Sequence, residues 1–493
     1  MTEVKKLTIV MASPEAVPFA KTGGLADVAG ALPKALRARG HDVRLVMPYY
    51  GCIMRAGVPS SDTGMSIPVT ISSRGENARI WASSLDDGTP VFLIRKDSYY
   101  DRAELYGTAE GDYPDNAERF CFFARAILAL VKRSGVAPDI IHCHDWQTGL
   151  VSPLLKVAEK SNPFFKGTGM VFTIHNLAYQ GLFWHYDMHL TGLPWSVFVP
   201  EGIEFYGKIN LLKAGIVYAD AITTVSRRYS EEIQTAELGC GLEGILARRR
   251  GDLYGILNGA DYRRWDPATD PDIAQHYTRD TLEGKGRCKE DLLRTYGLSL
   301  PAGTPLVGMV GRMADQKGYD LIAAALPSLL NAGAAIVILG KGEEKYHRLL
   351  TRLAKSFPDR LGVKIAFDNA VAHKVEAGAD YFLMPSRYEP CGLNQIYSLR
   401  YGTVPVVRAT GGLDDTVTSY DPATGEGNGF KFGQYRTDAL LAVMREALAI
   451  FECEPHWTRI RQNAMACDFS WDRAAREYEQ VYLAALARAR GPA

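Results

Sequence analysis

Two stretches decide how this chain is read: KTGGLADVAG at 21–30 and RATGGLDDTV at 408–417. Each sets Thr-Gly-Gly-Leu after a short apolar run, LTIVMA at 7–12 and VPVVRA at 404–409, and before a segment with helical patterning. The order strand, glycine turn, helix start therefore occurs twice, near opposite ends of the sequence. A glycine pair at such a junction lets backbone come close to a ligand, and the helix N-terminus beyond it offers unpaired N–H groups to an anion, most often phosphate. A Walker loop needs its Lys after the glycines, whereas Lys21 stands before them, and neither copy reads G-x-G-x-x-G; a P-loop NTPase and a dehydrogenase are both disfavoured. The plainer reading of either copy alone is a tight strand-to-helix turn.

At 493 residues the chain predicts two large domains or three smaller ones, and 47% hydrophobic residues suffice to fill them. Lys and Arg balance Asp and Glu at 56 each, so no net field draws the protein to nucleic acid or to an anionic membrane. The triplet Arg248–Arg250 reads as a solvated helix end. Eight scattered cysteines without C-x-x-C, and no histidines at zinc spacing, fit a reduced, cytoplasmic protein. The opening MTEVKKLTIVMASPE has too short an apolar stretch for a signal peptide. The most membrane-like window, 322–339, is expected to split at Pro327 and Asn331/Gly333 into a helix and a strand, leaving no transmembrane segment.

Apolar β-rich runs recur at 7–12, 42–48, 90–95, 139–143, 170–174 and 221–225, with amphipathic segments such as 26–39 and 116–133 between them. The pattern restarts after RRRGDLYGILNGAD with runs at 305–310, 334–339, 363–367, 380–384 and 404–407. Continuous apolar strands alternating with helices predict parallel sheets covered on both faces, hence an α/β chain of two doubly wound domains joined near 251–258. We place the first over 1–252, completed by an amphipathic C-terminal helix at 470–493, and the second over 253–469.

In open parallel sheets ligands sit beyond the carboxyl ends of the strands. Beyond these ends lie His144, Asp145 and Trp146; His175 and Asn176; Arg312 with Lys317; Arg387, Glu389 and Cys391; and the two glycine loops. A guanidinium and an ammonium five residues apart suit a diphosphate leaving group, although surface salt bridges are the simpler use of such residues. Glu389, between Arg387 and Pro390, is placed to accept from sugar hydroxyls, and Asp145 and His175 to hold a reacting ring. A lone His after an apolar strand is more often a satisfied structural residue.

Taken in order, KTGGLADV, HDWQTG, HNLAYQG, FYGKINLLKAG, LNGAD, GRMADQKG, PSRYEPCGLNQ and RATGGLDDTV resemble the bacterial glycogen synthase and plant starch synthase family over essentially the whole chain. The resemblance implies two Rossmann-like domains facing across a cleft, the GT-B arrangement. It also implies glucosyl transfer from ADP-glucose to the non-reducing end of an α-1,4-glucan such as glycogen, with anomeric retention. By position it assigns the phosphate-binding and catalytic basic residues to Lys21, Arg312 and Lys317, and the active-site carboxylate to Glu389. Asp145, His175 and Asn176 match its sugar site, and Gly23, Gly24, Asp27, Trp146, Asn258, Cys391, Gly392, Thr410, Gly411 and Gly412 match further substrate-binding positions. Asn394 stands where the family usually has Thr, and Phe367 where it has an adenine-stacking Tyr; these departures bear on nucleotide preference. The Asp-x-Asp metal motif of GT-A transferases has one counterpart, Asp270-Pro271-Asp272, in a Pro-rich loop away from the strand ends, so we expect no metal and no cofactor. A glucan phosphorylase would need a lysine-bound pyridoxal phosphate, for which no motif is present. A UDP-glucose-dependent relative and a non-catalytic glucan- or nucleotide-binding relative remain as alternatives.

Overall fold

The structure is a computed structural model that describes residues 6–108 and 110–491. Residues 1–5 of the expected first domain and the last two of the expected helix 470–493 lie outside the described residues. The chain forms two compact units. The first runs to Val225 and also takes Ser230–Gly259 and the C-terminal helix; the second comprises Ser226–Tyr229 and Ala260–Ser470.

In the first unit, nine strands lie in the order Leu253–Gly255, Ala221–Thr224, Gly169–Ile174, Ile140–His144, Thr8–Ala12, Asp42–Pro48, Pro90–Arg95, Arg74–Ser84 and Ser61–Ile71. The first seven pair in parallel, and the last two form an antiparallel edge hairpin. Central strands are buried along almost their whole length, as expected when helices cover both faces. The hairpin is different: Ser61–Ile71 alternates buried and exposed residues over its second half, so one face is wet. That half-polar pattern is why the sequence reading, which sought continuous apolar runs, passed over it.

The second unit holds six parallel strands in the order Leu361–Ile365, Ala335–Gly340, Leu306–Val310, Tyr381–Met384, Val404–Arg408 and Phe430–Phe432. Alternate residues of each strand feed separate cores: Val307, Met309, Ile336 and Ile338 on one side, Leu306, Ala335, Val337 and Leu339 on the other.

Four expectations are corrected. The window 322–339 does divide into the helix Tyr319–Asn331 and the strand Ala335–Gly340, but the break comes only at Gly333, whose φ of 98° a side chain would strain, and Pro327 lies inside the helix. Strands Leu253–Gly255 and Phe430–Phe432 were not foreseen; the former belongs to the first sheet, so the chain crosses to the second unit after Gly259 rather than after 252. The run 363–367 ends as a strand at Ile365, which leaves Phe367 beyond it. Arg249 is no solvated helix end, because its guanidinium donates to the carbonyls of Ile216, Val217 and Ala219 at the C-terminus of helix Leu211–Tyr218.

The last helix, Trp471–Arg490, packs on the first unit. Its buried Glu479 accepts from Arg39 Nε at 2.8 Å and from His41 Nε2 at 2.9 Å. Those bonds hold the carboxyl below its ordinary range against the opposing effect of burial. Replacing Glu479 by Ala leaves the buried His41 and the half-buried Arg39 without this partner, and is expected to cost about 2 kcal/mol. Urea denaturation checks this; a loss under about 1 kcal/mol would mean that Asp472, the other partner of Arg39, suffices.

Candidate active site

The carboxyl ends of the first sheet carry a buried polar cluster. Asp145 follows strand Ile140–His144 with φ 55°, a conformation a non-glycine residue adopts only when its surroundings enforce it. Its own N–H donates to Thr173 O at 3.0 Å, and its Oδ1 accepts the backbone N–H of His175 at 2.7 Å. Two adjacent strand ends are thereby fixed to each other. Burial pushes the Asp145 carboxyl up to about 8, only partly offset by the N–H groups of His175 and Asn176. His175 is buried and held neutral, its pKa lowered to about 3 by desolvation. Its Nε2 lies 2.9 Å from Nδ1 of His144. His142, also lowered to about 3 by burial, bonds Thr173 Oγ1 at 2.6 Å and the hydroxyl of Tyr482 at 2.9 Å.

The first glycine loop is open. A Cβ on Gly23 or Gly24 would meet nothing within 4 Å, and Gly23, at φ −152°, has ordinary extended backbone. Neither the fold nor the backbone conformation at Gly23 requires glycine in this loop. Lys21 reaches Asp27 at 2.7 Å on the helix Gly24–Ala38. Thr22 is pinned from below by buried Glu15, which accepts its N–H at 2.5 Å, its hydroxyl at 2.6 Å and the Tyr106 hydroxyl at 2.7 Å. Trp146 packs edge-on against Phe120 and lies over Gly181, whose φ is 61°. Asn176 Oδ1 accepts the N–H of Ala178, and Asn258 is buried with no protein partner for its Oδ1.

In the second unit, Lys317 Nζ meets Glu389 Oε2 at 2.5 Å, and the Ser386 hydroxyl donates to the same oxygen at 3.1 Å. The 3-10 turn Asp315–Lys317 ends at Gly318, where a Cβ would sit 2.1 Å from Pro385 O, so the Lys317 loop and the Glu389 loop are pressed together. Arg312 is exposed and donates to Gln316 Oε1 at 2.7 Å; it does not share the partner of Lys317. Asn394 Nδ2 donates to Val310 O at 2.8 Å, spending one of its two N–H groups on the strand end. Cys391 is buried, Gly392 has φ 71°, and Phe367 is 91% exposed. The second glycine loop is closed: a Cβ on Gly411 would lie 1.9 Å from Glu389 O, and one on Gly412 2.1 Å from Cys391 O. Buried Thr410 precedes them.

Among the described residues, one group has metal-ligand spacing: Asp270, Asp272 and His373. Asp270 Oδ2 already accepts from His373 Nδ1 at 2.7 Å and from the Tyr401 hydroxyl at 2.5 Å, while its Oδ1 accepts the N–H of Asp272. His373 is stacked on Trp265 with ring centroids 3.7 Å apart. These bonds make buried Asp270 and His373 a clamp, with half-buried Asp272 joined to it through its backbone N–H.

Glu15 and His142 were missed as candidate site residues, and His144, named among the residues beyond the strand ends, was given no role. The signal for Glu15 is a lone carboxylate inside the apolar stretch that leads to the first glycine loop; for the histidines it is the H-x-H at a strand's carboxyl end.

Residues 8–248 match the family model of the starch synthase catalytic domain, and residues 297–465 that of glycosyl transferases group 1. The chain is 50% identical to a glycogen synthase of Koribacter versatilis, over 96% of this chain and 97% of that one. It is 46% identical to a glycogen synthase of Geotalea daltonii over 98% and 99%. Among solved structures it resembles the catalytic domain of starch synthase IV from Arabidopsis thaliana bound to ADP and acarbose, with TM-score 0.90, 33% identity, and 98% of this chain and 100% of that one covered.

The raised Asp145 pKa has a consequence for stability. Folded Asp145 keeps its proton up to about pH 8, whereas the unfolded carboxyl loses it near pH 4, so in that window the native state binds the extra proton and stability falls as pH rises. Asp145→Asn removes this dependence. The stability of the variant relative to wild type should therefore climb between pH 5 and pH 9 in denaturant titrations; a constant difference would show that the carboxyl titrates normally.

Proposed function

The chain belongs to the glycogen synthase and starch synthase family and is a glycosyltransferase with the GT-B fold, and we propose that it extends glycogen by transferring glucose from ADP-glucose to the 4-hydroxyl at the non-reducing end of an α-1,4-glucan, with anomeric retention. The observation that carries the proposal is the Lys317–Glu389 pair, one ammonium and one buried carboxylate at 2.5 Å beyond the ends of parallel strands. On this reading the second unit is the nucleotide-sugar domain. Breaking the glucosyl C1–O bond puts charge on the diphosphate, which Lys317 and Arg312 meet as fixed cations. Glu389 then faces the sugar, and the departing phosphate takes the acceptor's proton as the new bond forms on the same face. Phe367, exposed beyond its strand, offers a ring to the adenine.

The first unit, 1–252 with the C-terminal helix in our sequence reading, serves the acceptor side. Asp145, His175 and Asn176 hold the sugar; a neutral imidazole suits that task because it brings no competing positive charge to an oxocarbenium-like centre. Lys21, Gly23, Gly24 and Asp27 form an open substrate-binding loop of this unit. Eight free cysteines support a reducing, cytoplasmic setting.

Turnover with ADP-glucose and UDP-glucose in parallel on a glycogen primer tests the proposal. ADP-glucose should be the better donor by kcat/KM; a preference for UDP-glucose would overturn the donor assignment, and no transfer from either would overturn the reaction.

The two glycine loops predict opposite mutant behaviour. Gly412→Ala forces a methyl against backbone and should cost roughly 2 kcal/mol or more of stability. Gly24→Ala should leave the thermal midpoint within a degree or two and lower kcat/KM instead, because only the substrate needs that space. A Gly24→Ala enzyme with normal activity would remove the first loop from the site.

A further inference from the structure

Resting on the sugar-holding role given to His175, we infer that His144 is a positioning residue that fixes which nitrogen of His175 carries the proton, so that His175 presents an Nδ1–H donor to the substrate. His144 Nδ1 and His175 Nε2 are 2.9 Å apart, so one of them donates to the other. Both rings are buried and kept neutral by desolvation, so each carries a single N–H. The remaining nitrogen of His144, Nε2, is buried with no protein partner.

Two arrangements satisfy the pair. If His175 Nε2–H donated, the proton of His144 would sit on Nε2, and a buried N–H would be orphaned. If His144 Nδ1–H donates, Nε2 of His144 is left as an unfilled lone pair, and the proton of His175 moves to Nδ1. Orphaned buried N–H groups are rare, and unfilled acceptors are tolerated better. The second arrangement is therefore selected.

His144 is itself held firmly. Its ring lies against that of His142 with centroids 4.2 Å apart, and both nitrogens of His142 are engaged, by Thr173 and by Tyr482. Its backbone carbonyl accepts the Thr148 hydroxyl at 2.7 Å. The fixed tautomer matters because a sugar hydroxyl oxygen met by N–H is bound in one orientation, whereas the other tautomer would offer it a lone pair.

Nitrogen-15 imidazole spectra of the whole protein, with His175 assigned by its loss in His175→Ala, read the tautomer without reference to activity. The Nδ1–H form is expected for His175, and the Nε2–H form would overturn the inference. His144→Phe removes the donor and should mix the two tautomers while lowering kcat roughly 10- to 100-fold, the range for partners of a ligating group, with KM for the donor changed far less. His144→Asn returns an N–H near the position of Nδ1 and should recover most of the lost kcat. Unchanged kcat and tautomer in His144→Phe would overturn the inference. Its failure is separable from that of the functional reading, since full activity in His175→Ala, with the wild-type tautomer as expected, would strike out the sugar-holding role of His175 and leave the pairing as found.

Discussion

The hydrogen bond from the backbone N–H of His175 to Asp145 Oδ1 is the constraint on which the first unit's functional edge depends. Two neighbouring strands end there, and their loops must turn away without leaving buried polar groups unmatched. A carboxyl oxygen that accepts from the neighbouring loop meets that need, with Asp145 held at positive φ and its carboxyl buried. The cost is borne by extensive packing below: strands Ile140–His144 and Gly169–Ile174 are buried at every residue. A rigid floor of this kind allows strained geometry to persist above it.

The repeated Thr-Gly-Gly-Leu phrase looks in the sequence like one device used twice. Its two copies obey different physics. In the second unit the glycines are demanded by the protein itself, since the carbonyls of Glu389 and Cys391 occupy the space a Cβ would need. That loop supports Glu389 from behind: Gly412 N–H donates to Glu389 O at 3.2 Å. In the first unit nothing of the protein crowds the glycines, and Glu15 fixes Thr22 so that the loop keeps its shape without them filling space. One copy braces the backbone of the Glu389 loop, and the other leaves open space at its glycines.

The sheets were legible because parallel strands covered on both faces are predominantly apolar runs: Pro90–Arg95 and Asp42–Pro48 appear where the sequence puts them, with only Asp42, Arg44 and Arg95 charged. What escaped was structure whose signal is weaker or shared with loops. The hairpin Ser61–Ile71 and Arg74–Ser84 is polar on one face, while the strands Leu182–Trp184, which exposes Leu182 and Trp184, and Lys208–Asn210 are only three residues long. Pro327 misled because the helix around it is anchored by Leu326, Leu329 and Leu330 in the core, which outweighs the local cost of a missing N–H. For the site, residue types beyond strand ends were visible, but their partners were not. Lys317 and Glu389 are 72 positions apart, and Glu15 meets Tyr106 across 91. Pairings of that span depend on which strands become neighbours, which periodicity in a single strand does not encode.

The chain path adds a constraint of its own. After building the second unit the chain returns, and the two crossings run side by side: Ala260 pairs with Ser470 in the second unit, while Gly259 lies so close to Trp471 in the first that a Cβ would be 2.7 Å from its Cα. Glycine at 259 is thus required by the return of the chain. The helix that follows reaches the functional edge through Tyr482, whose hydroxyl bonds His142, and reaches the start of the sheet through Glu479, which gathers Arg39 and His41. A segment more than 430 residues away in sequence therefore closes the first unit, with separations of 438 and 440 for the Glu479 pairs. The entropic cost of closing so long a loop grows only with the logarithm of its length, so the intervening unit does not prevent these pairs from forming. Tyr482 and Glu479 thereby tie the histidine cluster and the segment before strand Asp42–Pro48 to one C-terminal helix.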